Sequence, residues 1–337
     1  MKGKQLFVIY SYYQLLIALV ESAKNPKGEN NFIIWNQIKM FSGFIDNINK
    51  LPFINSVVVL PHELNDFAKK GHSIKKYINY FKYNLEWYSK FIDFQQLDNL
   101  CDKSEINVFL LSNPLVLFVL KKYPDNNFRF IEEGETTYAQ NKLTLVSWVK
   151  RNIYRLPFDD KKNPSVKEIW VKFPERLNPE LQSKVSYYNS QEQFLSLKSK
   201  DIDYIIDAFN ARNIYKLKVS GRSIIILTQP LSEDKLLTEQ QKIEAYKKII
   251  HDYGKGYNIA IKVHPRDKTN YEAIFPGCLI ISKLFPAELF NVFNISFTRG
   301  VTIFSSSIYN IENIEEKIFL GIEWNEILNA NFNSRYK

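Results

Sequence analysis

Apolar residues in this chain fall into short, unbroken runs separated by longer segments of mixed polarity. Leu6, Phe7, Val8 and Ile9 make the first run, which predicts a strand over 6–10 buried on both faces. Residues 14–22 carry apolar positions at helical spacing and predict the helix behind it. Further strands are expected at 32–35, 56–60, 108–111, 128–132 and 168–171, with helices over 64–97 and 114–122. A second series starts near Arg222, with strands expected at 223–227, 258–263 and 301–304 and helices at 238–253, 287–294 and 308–316. Strands alternating with helices imply an α/β fold. The polar stretch 178–218 is expected to contain the linker between two domains, placed at 1–195 and 196–337. No internal repeat is visible.

In open α/β sheets, ligands collect beyond the carboxyl ends of the strands. Four polar clusters stand at such ends. Glu132-Glu133-Gly134 ends the 128–132 run, and the loop from Gln229 to Glu233 and Asp234 follows 223–227. His264-Pro265-Arg266 follows 258–263, and Ser305-Ser306-Ser307 follows 301–304. A carboxylate can take the proton of an attacking hydroxyl, an imidazole can meet a leaving phosphate, and hydroxyls can bind its oxygens. Lys262 shares a strand face with His264 and Arg266 follows Pro265, so three cations are expected to cluster where a phosphate would sit. Glu288, at the start of a predicted helix, is suited to accept hydrogen bonds from ribose hydroxyls. Each feature alone has a plain structural counterpart: an acidic turn, a structural histidine, a helix cap, a glutamate beside a helix dipole. Their common position at strand ends is what sets them apart.

Bulk composition narrows the classes. With 337 residues, 45% hydrophobic and 15% aromatic, the chain can build two packed cores and is not disordered. A formal charge of +9 suits anionic partners or a lysine-rich solvated surface. Two cysteines, Cys101 and Cys278, exclude a disulfide framework and a cysteine-built zinc site, and fit a reducing cytoplasm. Tyr10, Ser11, Tyr12, Tyr13 and Gln14 interrupt the first apolar run, so it does not read as a signal peptide. The run at 106–120 contains Ser112, Asn113 and Pro114 and is too short to span a bilayer, so no transmembrane helix is predicted. Basic and aromatic residues mix at 69–91 and 148–155, which suits an anionic membrane face, single-stranded nucleic acid, or simply a helix with a lysine face.

In this order, the motifs resemble those of bacterial sialyltransferases of glycosyltransferase family 52. The likeness lies in 123–138, in Ile261 to Arg266, in Thr302 to Ser306, and in Ile9 to Gln14 at the first strand–helix junction. The set is also similar to the wider sialyltransferase and polysialyltransferase pattern of acidic-acidic-Gly, His-Pro and serine motifs. The resemblance implies a GT-B architecture: two Rossmann-like domains facing across a cleft, the first on the acceptor side and the second binding the donor. It implies inverting transfer of sialic acid from CMP-sialic acid to a galactose-terminated lipooligosaccharide or capsule glycan, with no metal or other cofactor. Asp201-Ile202-Asp203 has metal-motif spacing but lies in a helix-like segment. His264 is implied at the CMP phosphate as acid or electrostatic stabiliser, Ser305 and Ser306 on phosphate oxygens, and Lys262 and Glu288 on base and ribose. Ser307, Pro265, Arg266, Gly134 and Gln229 complete the candidate donor-binding set. The general base stays open among Glu132, Glu133, Glu233 and Asp234. Glu-Glu stands here where Asp-Asp is frequent, which carries the carboxylate one methylene further out.

The implied partners are the sugar-nucleotide donor, the glycan acceptor and the cytoplasmic face of an anionic membrane, with no specific nucleic acid and a homodimer left open. Two rival readings stand beside it. One is a GT-B transferase using another CMP-nonulosonic acid or a UDP or GDP sugar; the other is a basic nucleic-acid-binding or membrane scaffold protein without catalysis.

Overall fold

The computed structural model describes residues 3–35, 40–60, 92–111, 113–133, 135–138, 161–215, 221–285, 287, 289–305 and 307–336. The chain divides into two compact units, Met1–Ala208 and Phe209–Lys337. The Ser199–Ala208 helix packs on the Tyr12–Lys24 helix and belongs to the first unit.

In the first unit the strands are β1 (Lys4–Ile9), β2 (Glu29–Trp35), β3 (Ser56–Leu60), β4 (Glu105–Val108), β5 (Asn127–Ile131), β6 (Val166–Val171) and β7 (Val185–Tyr187). They form one parallel sheet in the order β3-β2-β1-β4-β5-β6-β7. In the second unit β8 (Ser223–Leu227), β9 (Asn258–Lys262), β10 (Leu279–Ile281), β11 (Phe297–Thr302) and β12 (Ile314–Phe319) form a second parallel sheet, ordered β10-β9-β8-β11-β12. Each sheet grows outward from its first strand in one direction and then crosses to the other side. The direction reverses between β1 and β4 and between β8 and β11, so both units are Rossmann-like with a switch point at those places.

Local chemistry explains the elements. All of β8 is buried, Ser-Ile-Ile-Ile-Leu, as a central parallel strand covered on both faces requires. Ile224 and Ile226 pack with Ile261, Val301 and Tyr246 in the second core; Leu6, Val8, Val108 and Phe130 do so in the first. Ser11 caps the Tyr12–Lys24 helix by accepting Gln14 N–H at 3.2 Å. Asn113 caps the Pro114–Lys122 helix, with proline at its first turn. Thr238 and Gln241 make a reciprocal capping box at the start of the Glu239–Tyr253 helix.

Several expectations are corrected. The expected strand at 108–111 is β4, which ends at Val108; the chain then turns into the Asn113 cap. The helix expected at 308–316 stops at Asn310, and Ile314–Phe319 pairs with β11 as an edge strand. Edge position explains the mixed polarity that reads as helical, since only part of β12 is covered. β11 starts at Phe297, β7 and the terminal Glu326–Tyr336 helix carry no clear apolar run, and β10 is apolar but only three residues long. Most of the expected 64–97 helix, with the 69–91 and 148–155 stretches, lies outside the described residues; Phe94–Cys101 is a helix capped by Asp93. Among the described residues no helix is long and apolar enough to cross a membrane. Cys101 is buried in the first unit, Cys278 half-buried in the second, and both are free thiols.

Thr238→Ala removes one side of the capping box, and chemical denaturation should show a loss of about 1 kcal/mol.

Candidate active site

In the second sheet β9, β8 and β11 are neighbours, with Lys262 beside Leu227 and Leu227 beside Thr302. The chain therefore leaves these strands side by side, carrying His264, Thr228 with Gln229, and Ser305. Gln229 is buried and joins two of the exits. Its N–H donates to the Tyr246 hydroxyl at 2.7 Å, and its side-chain oxygen accepts Phe304 N–H at 2.9 Å. Ser305 is half-buried, its N–H donating to Thr302 Oγ1 at 3.2 Å, and Ser307 opens the short Ser307–Asn310 helix. Ser306, Glu288 and Gly134 lie outside the described residues.

His264 is half-buried beyond β9, next to Pro265. Its N–H donates to Thr228 Oγ1 at 3.0 Å, and its Nδ1 accepts Arg266 N–H at 3.1 Å. With Nδ1 occupied as an acceptor, the proton of the neutral ring sits on Nε2. Burial, then the charges of Arg266 and Lys262, push its pKa down to about 4, against a weaker pull from Asp267 and Asp234. The imidazole is thus a neutral N–H donor at pH 7. The expected three-cation cluster changes accordingly. Lys262 is buried, and its ammonium donates to Val263 O at 2.7 Å. Arg266 makes a bidentate pair with Asp234, at 2.7 and 2.9 Å.

The four candidate bases sit in different surroundings. Glu132 accepts Lys172 N–H at 2.6 Å and the Tyr138 hydroxyl. Glu133 instead accepts the Gln14 side-chain amide at 2.5 Å. The two adjacent carboxylates diverge, as neighbours at a strand end must. Gln14 is fully buried, and its oxygen accepts Tyr10 N–H at 2.8 Å, while the Tyr10 hydroxyl donates to Leu110 O at 3.2 Å. Glu133 is thereby tied to the switch point between β1 and β4. Glu233 accepts Lys268 N–H at 2.7 Å and the Lys242 ammonium at 3.1 Å.

Lys242 is fully buried and also reaches Asp267 at 3.0 Å and Glu239 at 3.1 Å. Burial opposes its charge, but Asp267, Glu239 and Glu233 outweigh that and hold its pKa above the ordinary lysine value. Asp267, itself buried, accepts the hydroxyls of Thr228 at 2.9 Å and Tyr271 at 2.8 Å. Sequence reasoning missed Thr228, Lys242 and Asp267. Lys242 reads as one more polar residue of a polar helix, and only its burial distinguishes it. The Asp201-Ile202-Asp203 spacing lies within the Ser199–Ala208 helix. Among the described residues no three His, Cys, Asp or Glu side chains group to hold a metal ion.

Residues 62–321 match glycosyltransferase family 52. This range includes the acidic pair, the Gln-Pro loop, the His-Pro turn and the serines. The chain belongs to glycosyltransferase family 52. It is 34% identical over 221 residues to an uncharacterized protein of Haemophilus influenzae, covering 64% of this family 52 chain and 68% of the relative. The fold is similar to the GT-B domain of a sialyltransferase from Photobacterium damselae, with TM-score 0.57 and 12% identity over 98% of this chain and 96% of that one. A UDP-glucosyltransferase from Polygonum tinctorium is also similar, with TM-score 0.50 and 10% identity over 98% of this chain and 82% of that one. At these identities the likeness to solved structures is one of fold. The family 52 protein is a glycosyltransferase with a GT-B fold.

The folded state of this family 52 protein resists protonation of His264, so NMR titration of the imidazole should find it neutral at pH 6. The unfolded chain takes up that proton first, near 6.5, so folded stability falls as pH drops from 6.5 towards about 4. His264→Gln should remove that part of the slope in acid denaturation.

Proposed function

We propose that the protein transfers sialic acid from CMP-sialic acid to a galactose-terminated lipooligosaccharide or capsule glycan, with inversion and without a metal ion. The observation that carries this reading is the convergence of His264, the Gln229 loop and Ser305 beyond three adjacent strands of the second sheet. The CMP leaving group bears a single phosphate, and neutral donors suit its modest developing charge. His264 Nε2–H would meet that phosphate with the Ser305 hydroxyl beside it. As a neutral donor, His264 would stabilise the charge that develops on the departing phosphate.

Glu132 and Glu233 each accept a backbone N–H, which ties them to the shape of their loops. Glu133 and Asp234 meet side-chain donors, which a substrate hydroxyl can replace. In this reading Glu133 or Asp234 serves as the general base, and the variant Glu133→Gln or Asp234→Asn that removes it should lose on the order of 10²-fold or more in kcat. The formal charge of +9 favours the anionic donor and an anionic membrane face on the cytoplasmic side, where the glycan would be assembled.

Calorimetric titration with CMP, UDP and GDP, in the presence of EDTA, tests the donor. CMP should bind in preference, and His264→Ala should weaken it about tenfold, the worth of one hydrogen bond to a charged group. Preference for UDP or GDP would instead support a different sugar donor on the same fold. Salt-sensitive binding to any single-stranded nucleic acid, indifferent to His264, would contradict catalysis here altogether.

A further inference from the structure

The Lys242 cluster has no evident reason in stability alone. A cation in the first turn of the Glu239–Tyr253 helix faces the unfavourable end of the helix dipole, and this one is also fully buried. Buried ion clusters are often no more stable than apolar side chains of the same volume. What the cluster does is hold two loops in register. On one side Lys242 meets Glu233 of the Gln229–Asp234 loop; on the other it meets Asp267, three residues past His264. Asp267 binds the Thr228 hydroxyl, whose oxygen accepts His264 N–H, and Asp267 N–H donates to His264 O at 3.0 Å. Glu233 accepts Lys268 N–H, just beyond. His264 is thus gripped at both its backbone N–H and its carbonyl by groups anchored on Lys242.

We propose that Lys242 is a positioning residue, whose buried ammonium sets the orientation of the His264 imidazole by fixing the 264–268 turn against the Gln229–Asp234 loop. Its consequence for transfer rests on the function proposed above; its consequence for His264 does not. Removing the ammonium leaves half-buried Glu233 and buried Asp267 without their common partner. The two acids then repel, the turn relaxes, and the Arg266 N–H to Nδ1 bond that selects the Nε2–H form is released. A shift of the reacting group by about 1 Å suffices for a loss on the order of 10²-fold in rate.

The test compares wild type with Lys242→Met by nitrogen NMR of the His264 ring and by CMP titration, with circular dichroism and thermal melting as checks of folding. Lys248→Met, on the exposed face of the same helix, controls for loss of charge. The expected result is a folded Lys242→Met protein whose His264 signals report a mixture of ring tautomers and whose CMP affinity falls about tenfold or more. A lowered melting temperature with unchanged His264 signals and unchanged CMP affinity would overturn the proposal, leaving Lys242 a structural brace. If Lys242→Met does not fold, Asp267→Asn removes the partner through which the ammonium acts, and the same two readouts decide in the same way. If wild type binds no CMP, the donor assignment fails and the ring tautomer alone decides on Lys242.

Discussion

Thr228 Oγ1 makes the contact on which the second unit's site depends. It accepts His264 N–H at 3.0 Å and donates to Asp267 at 2.9 Å, so one hydroxyl joins the exits of β8 and β9. Gln229, the next residue, joins β8 to the exit of β11 through Phe304 N–H at 2.9 Å. Two consecutive residues after a fully buried strand therefore bring the His-Pro turn and the serine turn together. Parallel pairing supplies the raw proximity, and these two side chains convert it into fixed geometry.

The electrostatics of this region are those of neutral donors rather than of a basic pocket. Arg266 is matched by Asp234, Lys262 is turned onto a backbone carbonyl, and Lys242 is surrounded by carboxylates. His264 is kept uncharged by burial and by the cations near it. Such a site presents N–H and O–H dipoles that are already oriented, which stabilises developing charge without reorganisation.

The sequence made the alternating architecture and the strand-end motifs legible because buried parallel strands are continuous apolar runs, as at 223–227, and their exits are abruptly polar. The helix expected from 238 starts there, with Thr238 as its cap. Of the edge strands, β3 was visible as the run at 56–60, but the others were not: β7 and β10 are three residues long, and β12 mixes charge with apolar residues because it is only partly covered. The charges at the site were legible as residues but not as pairs. Nothing local indicates that Arg266 will meet Asp234, 32 positions earlier, or that Lys242 will be buried against Asp267, 25 positions later. Those partners are set by which strand exits the topology makes adjacent, and that is a property of the sheet order.

The central claim is sialyl transfer, and its most direct measurement is turnover. Purified protein is incubated with CMP-sialic acid and a galactose-terminated acceptor in EDTA, and product is followed by mass spectrometry with CMP release measured in parallel. The account predicts a sialylated acceptor formed in step with released CMP, and loss of both in His264→Ala. No transfer from CMP-sialic acid, with turnover of a UDP or GDP sugar on the same acceptor, would contradict it.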